Sequence, residues 1–231
     1  EVSGHRYALP GADGRRIESH TEYLPDVMPD GTVRGVYVVV QDVTEYRSAI
    51  DLMRAAHRVT ARQDIPVDEM IPELLELGCR HFGMQLGMVG RIVGERYHVD
   101  HAAGSTARER NIVGTVHAVD DTCCRHLIGS DDIHDFDANG TCSSHPGFPG
   151  RPPAAYIGAP LFVRGSFHGT VSFADRRARE QPFSEIDREL VRLLAGAISG
   201  LLARSQYESQ LEEASERLLE EASTDALTGV Y

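Results

Sequence analysis

Positive charge is scarce in this 231-residue sequence, which contains 23 Lys and Arg against 35 Asp and Glu and has a formal net charge of -12. Binding to nucleic acid or to anionic lipid requires a concentrated basic surface that displaces counterions. The charge balance therefore predicts no nucleic-acid partner and no electrostatic membrane binding.

Long apolar runs and cysteines are also few. The longest apolar run, residues 190–203, is interrupted by Arg192 and is shorter than the roughly 20 residues of a membrane span. The first stretch is polar and carries no secretory or transit signal, and four cysteines in such a chain indicate a reducing compartment rather than a disulfide framework. We therefore expect a cytoplasmic location without membrane insertion.

Turn residues separate two predicted strands near the start of the chain. Residues 16–24 alternate in polarity, residues 28–32 supply a turn, and residues 33–41 include three consecutive valines. A helix should follow, because Asp42 and Glu45 have capping-box spacing. The apolar residues after them recur at helical intervals: Ala49, Leu52, Ala56 and Val59.

The strand pair followed by Asp42-Val43-Thr44 and a helix resembles the C-terminal end of a PAS domain. In that family an Asp-x-Thr motif joins the last strand to the output helix. The resemblance covers about 45 residues and implies that residues 1–45 are the C-terminal part of a PAS domain, without its ligand-holding half.

The middle of the chain predicts a helix and two pairs of strands. Apolar residues on one face indicate a helix over 68–82, and alternation indicates strands over 86–92 and 97–100. A second pair, 155–163 and 166–174, is joined through Arg164 and Gly165. One short helix is expected over 121–128. An α+β fold with an antiparallel sheet and helices on one side is predicted.

Several motifs in order then resemble the second half of a GAF domain: Tyr156-Ile157-Gly158-Ala159-Pro160-Leu161, Gly165, His168-Gly169-Thr170-Val171-Ser172-Phe173, and Pro182-Phe183-Ser184 with Asp187. The resemblance spans roughly residues 52–204. Gly165 permits a tight turn, Gly169 permits close packing, and Ser184 is suited to cap the final helix.

No proline occurs from Ser184 to about Ser223, which predicts one helix of around 40 residues. A heptad seam through Leu190, Leu194, Ala197 and Leu201 continues at Leu211, Leu218 and Ala222, and a competing stripe uses Tyr207, Leu211, Ala214 and Leu218. We interpret this helix as a coiled coil that forms a homodimer. Gly196 and Gly200 either let two helices approach or pack on the sheet of the same domain.

The end of the chain, Ser223 to Tyr231, resembles the Asp-x-Leu-Thr-Gly segment that opens GGDEF domains, at Asp225, Leu227, Thr228 and Gly229. GGDEF domains are diguanylate cyclases, which condense two GTP into cyclic di-GMP. The resemblance implies GTP and Mg only for a catalytic domain that is missing here. No catalytic residue is assigned, and we expect this fragment not to be an enzyme.

Cysteines and histidines gather in the region expected to cover a GAF pocket: Cys123, Cys124, His126, Cys142 and His145. Thiolates and imidazoles suit zinc, iron or haem, although the spacing matches no standard zinc motif. The adjacent cysteines, or one of them with Cys142, can instead act as redox thiols. A third interpretation places one cysteine in the core and gives the others no role. We assign no metal and no cofactor.

The resemblance also restricts the ligand. GAF domains that attach linear tetrapyrroles typically carry a Cys directly before a His near this place, whereas here Ser144 precedes His145. The Asn-Lys…Phe…Asp-Glu pattern of cyclic-nucleotide-binding relatives is missing as well. Another small organic ligand in the GAF pocket, or no ligand, remains open.

Five segments are predicted in all: a PAS end over 1–45, a connecting helix and linker over 46–66, a GAF domain over 67–204, a coiled-coil linker over 205–223 and the start of a GGDEF domain over 224–231. The leading hypothesis is a regulatory PAS-GAF fragment that controls a diguanylate cyclase. The alternative is a redox- or metal/haem-sensing GAF domain.

Overall fold

The computed structural model describes residues 3–10, 16–136, 145–148 and 152–228. The chain forms two compact units, Glu1–Arg54 and Ala55–Tyr231. Each unit has its own antiparallel sheet.

The first unit is a three-stranded sheet in the order β1-β2-β3, with β1 at Ser3–Pro10, β2 at Arg16–Val27 and β3 at Val33–Asp42. The predicted strand pair is confirmed, and β1 is an additional strand that the sequence did not predict. Gly31 has φ +84°, and its N–H donates to the carbonyl of Met28 in the predicted turn. All ten residues of β3 are exposed.

Helix α1, at Thr44–Thr60, begins directly after β3. The Thr44 hydroxyl donates to Asp42 Oδ1 (2.6 Å) and accepts from the N–H of Glu18 in β2 (2.8 Å). The Asp-x-Thr segment therefore ties the start of α1 to the neighbouring strand.

The second unit contains a six-stranded antiparallel sheet in the order β6-β5-β4-β9-β8-β7. Its strands run as follows: β4 Leu86–Val93, β5 Arg96–Gly104, β6 Val116–Ala118, β7 His134–Phe136, β8 Ala155–Val163 and β9 Ser166–Asp175. The two predicted strand pairs are confirmed as the β4–β5 and β8–β9 hairpins. The outer strands β6 and β7 are short and were not predicted.

Helices complete the second unit. Helix α2 is Val67–Phe82, close to the predicted 68–82, and α3 is the short Ala107–Arg110. The helix expected over 121–128 is wrong in type, because the chain forms two 3₁₀ helices there, Val119–Asp121 and Cys123–Leu127. The Thr122 hydroxyl donates to the Val119 carbonyl, which closes the first of these turns locally.

The last helix, α4, spans Glu185–Thr228 and has 44 residues, which confirms the long uninterrupted helix. Within the described part of the chain, no helix combines the length and the apolar character that crossing a membrane requires. The N-terminal half of α4 packs on β8 and α2, and the residues that face this core include Leu190, Leu194 and Leu201.

This packing corrects the predicted coiled-coil seam. Leu190, Leu194 and Leu201 are buried in the core of their own unit, so they are not free to form a seam with a second helix. The prediction failed because the same 3-4 spacing serves a helix that packs on a sheet and one that packs on another helix. A Cβ at Gly196 or Gly200 would meet no atom within 4 Å, so these glycines do not pack on the sheet.

Candidate functional site: a buried polar cluster

Polar side chains from β5, β8, β9, the 3₁₀ helix Cys123–Leu127 and position 145 meet inside the second unit. We call Tyr97, Cys124, His145, Tyr156 and Thr170 the buried polar cluster. All five are at most 1% exposed, and they lie among apolar residues that include Leu86, Met88 and Phe148.

Two glycines make room for the tyrosine rings. A Cβ at Gly90 in β4 would lie 2.5 Å from Cζ of Tyr97, and a Cβ at Gly158 in β8 would lie 2.5 Å from the Tyr156 hydroxyl oxygen. Gly90 is paired with Thr170 of β9. The ring of Tyr97 can therefore lie across β4 and reach the Thr170 hydroxyl.

Each tyrosine hydroxyl has a polar neighbour. The Tyr97 and Thr170 hydroxyl oxygens are 3.1 Å apart, and the Tyr156 hydroxyl donates to Cys124 Sγ at 3.6 Å. Burial raises the pKa of both phenols well above the usual value, so both stay protonated at neutral pH.

His145 is the imidazole of the cluster. The N–H of Gly147 donates to its Nδ1 at 3.2 Å, so in the neutral ring the proton is on Nε2. Nε2 is buried and has no hydrogen-bond partner among the described residues. Burial lowers the pKa of His145 to about 3, so the ring is a neutral hydrogen-bond donor at physiological pH. Its ring lies 5.3 Å from Phe148 and 6.2 Å from Tyr156.

The other predicted histidine, His126, lies at the margin of the cluster. Its ring stacks on His134 of β7 at 4.6 Å, and His134 is in turn 6.2 Å from the ring of Tyr156. Burial lowers the pKa of His134. The structure therefore brings Cys124 and His145 around Tyr156 and connects His126 to them only through His134.

The two remaining predicted residues have different outcomes. Cys123 is fully buried and disulfide-bonded, whereas Cys124 carries a free thiol. One disulfide-bonded cysteine does not make a disulfide framework, so the reducing compartment stays a prediction. Cys142 lies outside the described residues.

Metal binding finds no support in the described part of the chain, where no three His, Cys, Asp or Glu side chains are grouped to hold an ion. The cluster instead offers two phenols, a thiol and a neutral imidazole in an apolar surrounding. Such groups can recognise a small polar ligand by hydrogen bonds, and the thiol can be oxidised.

Sequence reasoning missed Tyr97, Tyr156 and Thr170 as site residues. Tyr156 and Thr170 fall within the motifs that resemble a GAF domain, but the motifs alone predicted no site role for either residue. Tyr97 sits beside no motif, and only the pairing of β4 with β5 and β9 brings it to Thr170.

A separate surface cleft of about 420 Å³ lies at the C-terminal end of α2. Its lining includes Cys79, Arg80, Gln85 and Arg177. Of the predicted site residues that the structure describes, none lines this cleft.

The six-stranded antiparallel sheet, its helices and the long terminal helix define the second unit as an α+β domain. The GAF domain model matches residues 66–202, more than half of the chain, and the chain belongs to this family. GAF domains are typical of regulatory sensory parts of signalling proteins. No curated protein is significantly similar in sequence.

Solved GAF structures share the fold. The GAF domain of an Acinetobacter phosphoenolpyruvate-protein phosphotransferase is 12% identical with a TM-score of 0.56, over 72% of this chain and 97% of that one. The phycocyanobilin-bound GAF domain of a cyanobacterial phytochrome is 16% identical with a TM-score of 0.56, over 68% and 96%.

An enzyme is also similar in structure. The free methionine-R-sulfoxide reductase of Neisseria meningitidis, solved with its substrate, is 14% identical with a TM-score of 0.54, over 70% of this chain and 93% of that one. At such identities these likenesses establish the fold and carry no site or activity to this chain.

Proposed function

We propose that this chain is a regulatory fragment of a bacterial signalling protein, in which a GAF domain controls a diguanylate cyclase through α4. The single observation that carries the proposal is that α4 leaves the GAF core and continues as one helix to Thr228. A continuous helix transmits rotation or displacement along its length better than a flexible linker does.

An exposed stripe on α4 supports a homodimer as the working state. Its members are small or apolar and lie on the side of the helix opposite the buried Val191 and Ile198: Leu193, Gly196, Gly200, Leu211, Ala214 and Leu218. Tyr207 points in the same direction, but its ring also lies against Arg164 of the β8–β9 hairpin. Leu218 follows Gly200 by 18 residues, which is about five helical turns, so both point in the same direction. Of the two registers considered, this stripe favours the one through Tyr207 and Leu211.

The terminal motif supports the choice of output. Asp225, Leu227 and Thr228 fall in the last turns of α4, whereas Gly229 lies outside the described residues. The sequence resemblance to the opening of a GGDEF domain remains the reason for proposing GTP and Mg as the substrate and metal of a following cyclase domain.

The domain boundaries belong to the same proposal. We place a PAS end over 1–45, a connecting segment over 46–66, the GAF domain over 67–204, the linker over 205–223 and the cyclase start over 224–231. The contact of Thr44 with β2 suits a PAS output junction, since it fixes the helix to the sheet. A small organic ligand at the buried polar cluster is the proposed input, and the proposed location is the cytoplasm.

The test uses the protein extended through the proposed cyclase domain and inserts residues after Glu213. Two inserted residues rotate the following helix by about 200°, whereas seven rotate it by about 20°. We expect the two-residue insertion to abolish cyclic di-GMP synthesis from GTP or to hold it at a constant rate. The seven-residue insertion should preserve the synthesis. Equal activity in both insertions, or no cyclic di-GMP from the parent protein, would overturn the proposal.

A redox-sensing GAF domain is the second candidate, and one observation favours it. The disulfide-bonded Cys123 is adjacent to the free thiol Cys124, so a reducible bond lies next to the buried polar cluster. Reduction should then change the protection of the cluster against hydrogen exchange. Identical exchange in oxidised and reduced protein, together with no bound metal or chromophore in absorption spectra, would exclude this candidate.

A further inference from the structure

The tip of the β8–β9 hairpin touches the exit helix. The guanidinium carbon of Arg164 lies 4.5 Å from the centre of the Tyr207 ring, and Arg164 Nη1 donates to Gln210 Oε1 at 3.2 Å. Tyr207 and Gln210 are about one helical turn apart on α4. One arginine side chain therefore holds two neighbouring positions of the helix.

The backbone at this tip is strained. Arg164 has φ +55° and Gly165 has φ +79°, as in the type I′ turns that favour Asn, Asp or Gly at both central positions. Among the described residues, Arg164 is the one non-glycine with positive φ. A residue held in an unfavourable conformation points to a role for its side chain, here the contact with α4.

A second contact holds α4 close by from another direction. Arg204 donates through Nη1 to the Arg62 carbonyl and through Nη2 to the Ile65 carbonyl, both at 3.2 Å. Arg204 and Gln210 are six residues apart, which places them about 120° apart around the helix axis. Two contacts in different directions therefore hold the helix just beyond the part that packs on β8 and α2.

The same hairpin carries the buried polar cluster. Tyr156 lies on β8 and Thr170 on β9, and the tip is eight residues from Tyr156, about 26 Å along the strand. Phe162 and Phe167 are paired across the hairpin near the tip, with ring centres 5.9 Å apart. A hairpin stiffened in this way can carry a displacement from the cluster to its tip.

We propose that Arg164 is the positioning residue that couples the buried polar cluster to the rotation of α4. This inference rests on the proposed function and names the contact through which the state of the GAF domain reaches the exit helix. A displacement of Tyr156 moves the β8–β9 hairpin, and Arg164 turns Tyr207 and Gln210 relative to the fixed point at Arg204.

The first test measures amide hydrogen exchange over residues 205–214 in the whole chain, at concentrations low enough for the monomer. Arg164→Gly removes the guanidinium and also relieves the strained turn, so a faster exchange cannot come from a destabilised turn. We expect exchange about two- to fivefold faster, as for the loss of an exposed cation–π contact. Arg164→Lys should be intermediate, and Arg96→Gln in the β4–β5 hairpin should have no effect.

The second test asks whether the buried polar cluster acts on α4 through Arg164 or whether Arg164 only stabilises α4. Cys124→Leu enlarges a side chain in contact with Tyr156, and Tyr156→Phe removes the hydroxyl that contacts Cys124. Each of these two substitutions should change the amide hydrogen exchange of residues 205–214 when Arg164 is present. Neither should change it in the Arg164→Gly variant. If Cys124→Leu does not fold, Tyr156→Phe carries the comparison alone.

The inference would be overturned if the effects of the cluster substitutions and of Arg164→Gly were additive. It would also be overturned if neither the cluster substitutions nor Arg164→Gly changed the amide exchange of residues 205–214. These measurements involve neither GTP nor a second copy of the chain. A protein with the expected coupling but no cyclase activity would therefore overturn the proposed function and leave the coupling intact.

Discussion

His145 combines a buried ring with a neutral charge state, which makes its contribution to stability pH-dependent. The unfolded chain binds a proton at His145 below pH 6.5, whereas the folded chain does so only near pH 3, where its lowered pKa lies. Because the unfolded state binds more protons between these values, the folded state loses stability as the pH falls through this window.

We expect His145→Asn to reduce this loss. Asn keeps an acceptor for the Gly147 N–H but does not titrate, so the fall in unfolding free energy below pH 6.5 should be shallower by up to about 1.4 kcal/mol per pH unit. Urea unfolding at pH 7, 6 and 5 measures the difference. His57→Gln, at an exposed position of α1, is the control, and an unchanged slope in His145→Asn would contradict the expectation.

Gly169 in β9 lies where a side chain would collide with the backbone of β4. A Cβ there would lie 2.0 Å from the Gly90 carbonyl oxygen and 2.7 Å from Cα of Arg91, which are backbone atoms that cannot rotate away. Gly169→Ala should therefore destabilise the GAF unit by about 3 kcal/mol, whereas Gly35→Ala in β3, with no atom within 4 Å of its Cβ, should be nearly neutral. Urea unfolding monitored by circular dichroism tests the pair.

At the scale of elements, the start of α4 is held by a reciprocal cap. The N–H of Asp187 donates to Ser184 Oγ at 3.1 Å, and the N–H of Ser184 donates to Asp187 Oδ2 at 3.2 Å. Although burial alone would raise the pKa of Asp187, hydrogen bonds from His81 and Ser184 and the charge of Arg179 lower it. Asp187 therefore joins the cap to α2 and to the loop before α4.

Removing the two halves of this cap should have unequal effects. Ser184→Ala loses one capping bond and should cost about 1 kcal/mol of stability. Asp187→Asn keeps the shape of the side chain but removes the charge that faces Arg179 and His81, and it should cost more above pH 5 than at pH 3. Thermal unfolding at both pH values checks this, and equal losses at the two pH values would show that the charge has no role.

At the scale of the whole molecule, the proposed homodimer depends on which face of α4 is free. Leu218 and Leu219 are similarly exposed, at 66% and 69%. Leu218 continues the direction of Gly200, whereas Leu219 follows Leu201 by 18 residues and so continues the direction that faces the GAF core.

These adjacent leucines form a matched pair for testing the dimer. Leu218→Ser should weaken dimerisation about tenfold or more, because it removes apolar burial in the stripe from both copies. Leu219→Ser should change the dissociation constant little. Sedimentation equilibrium of the wild type and both variants gives the comparison, and equal effects would place the dimer contact elsewhere on the helix.

Local signals in the sequence determined much of this protein. The period of apolar residues predicted α2 and α4, the turn residues predicted the β4–β5 and β8–β9 hairpins, and the ordered motifs predicted the family. Such features depend on neighbours in sequence: a helix needs a repeating face, and a tight turn needs residues such as Gly31 or Gly165 that adopt positive φ.

Only the tertiary structure decided which face of each element is used. The same 3-4 spacing allowed Leu190, Leu194 and Leu201 to be a dimer seam or a core face, and packing on β8 made them core. Tyr97 meets Thr170 because Gly90 leaves room across β4, and Arg164 meets Tyr207 because the hairpin tip reaches α4. Contacts between residues this far apart in sequence arise from strand pairing and packing, which no local pattern encodes.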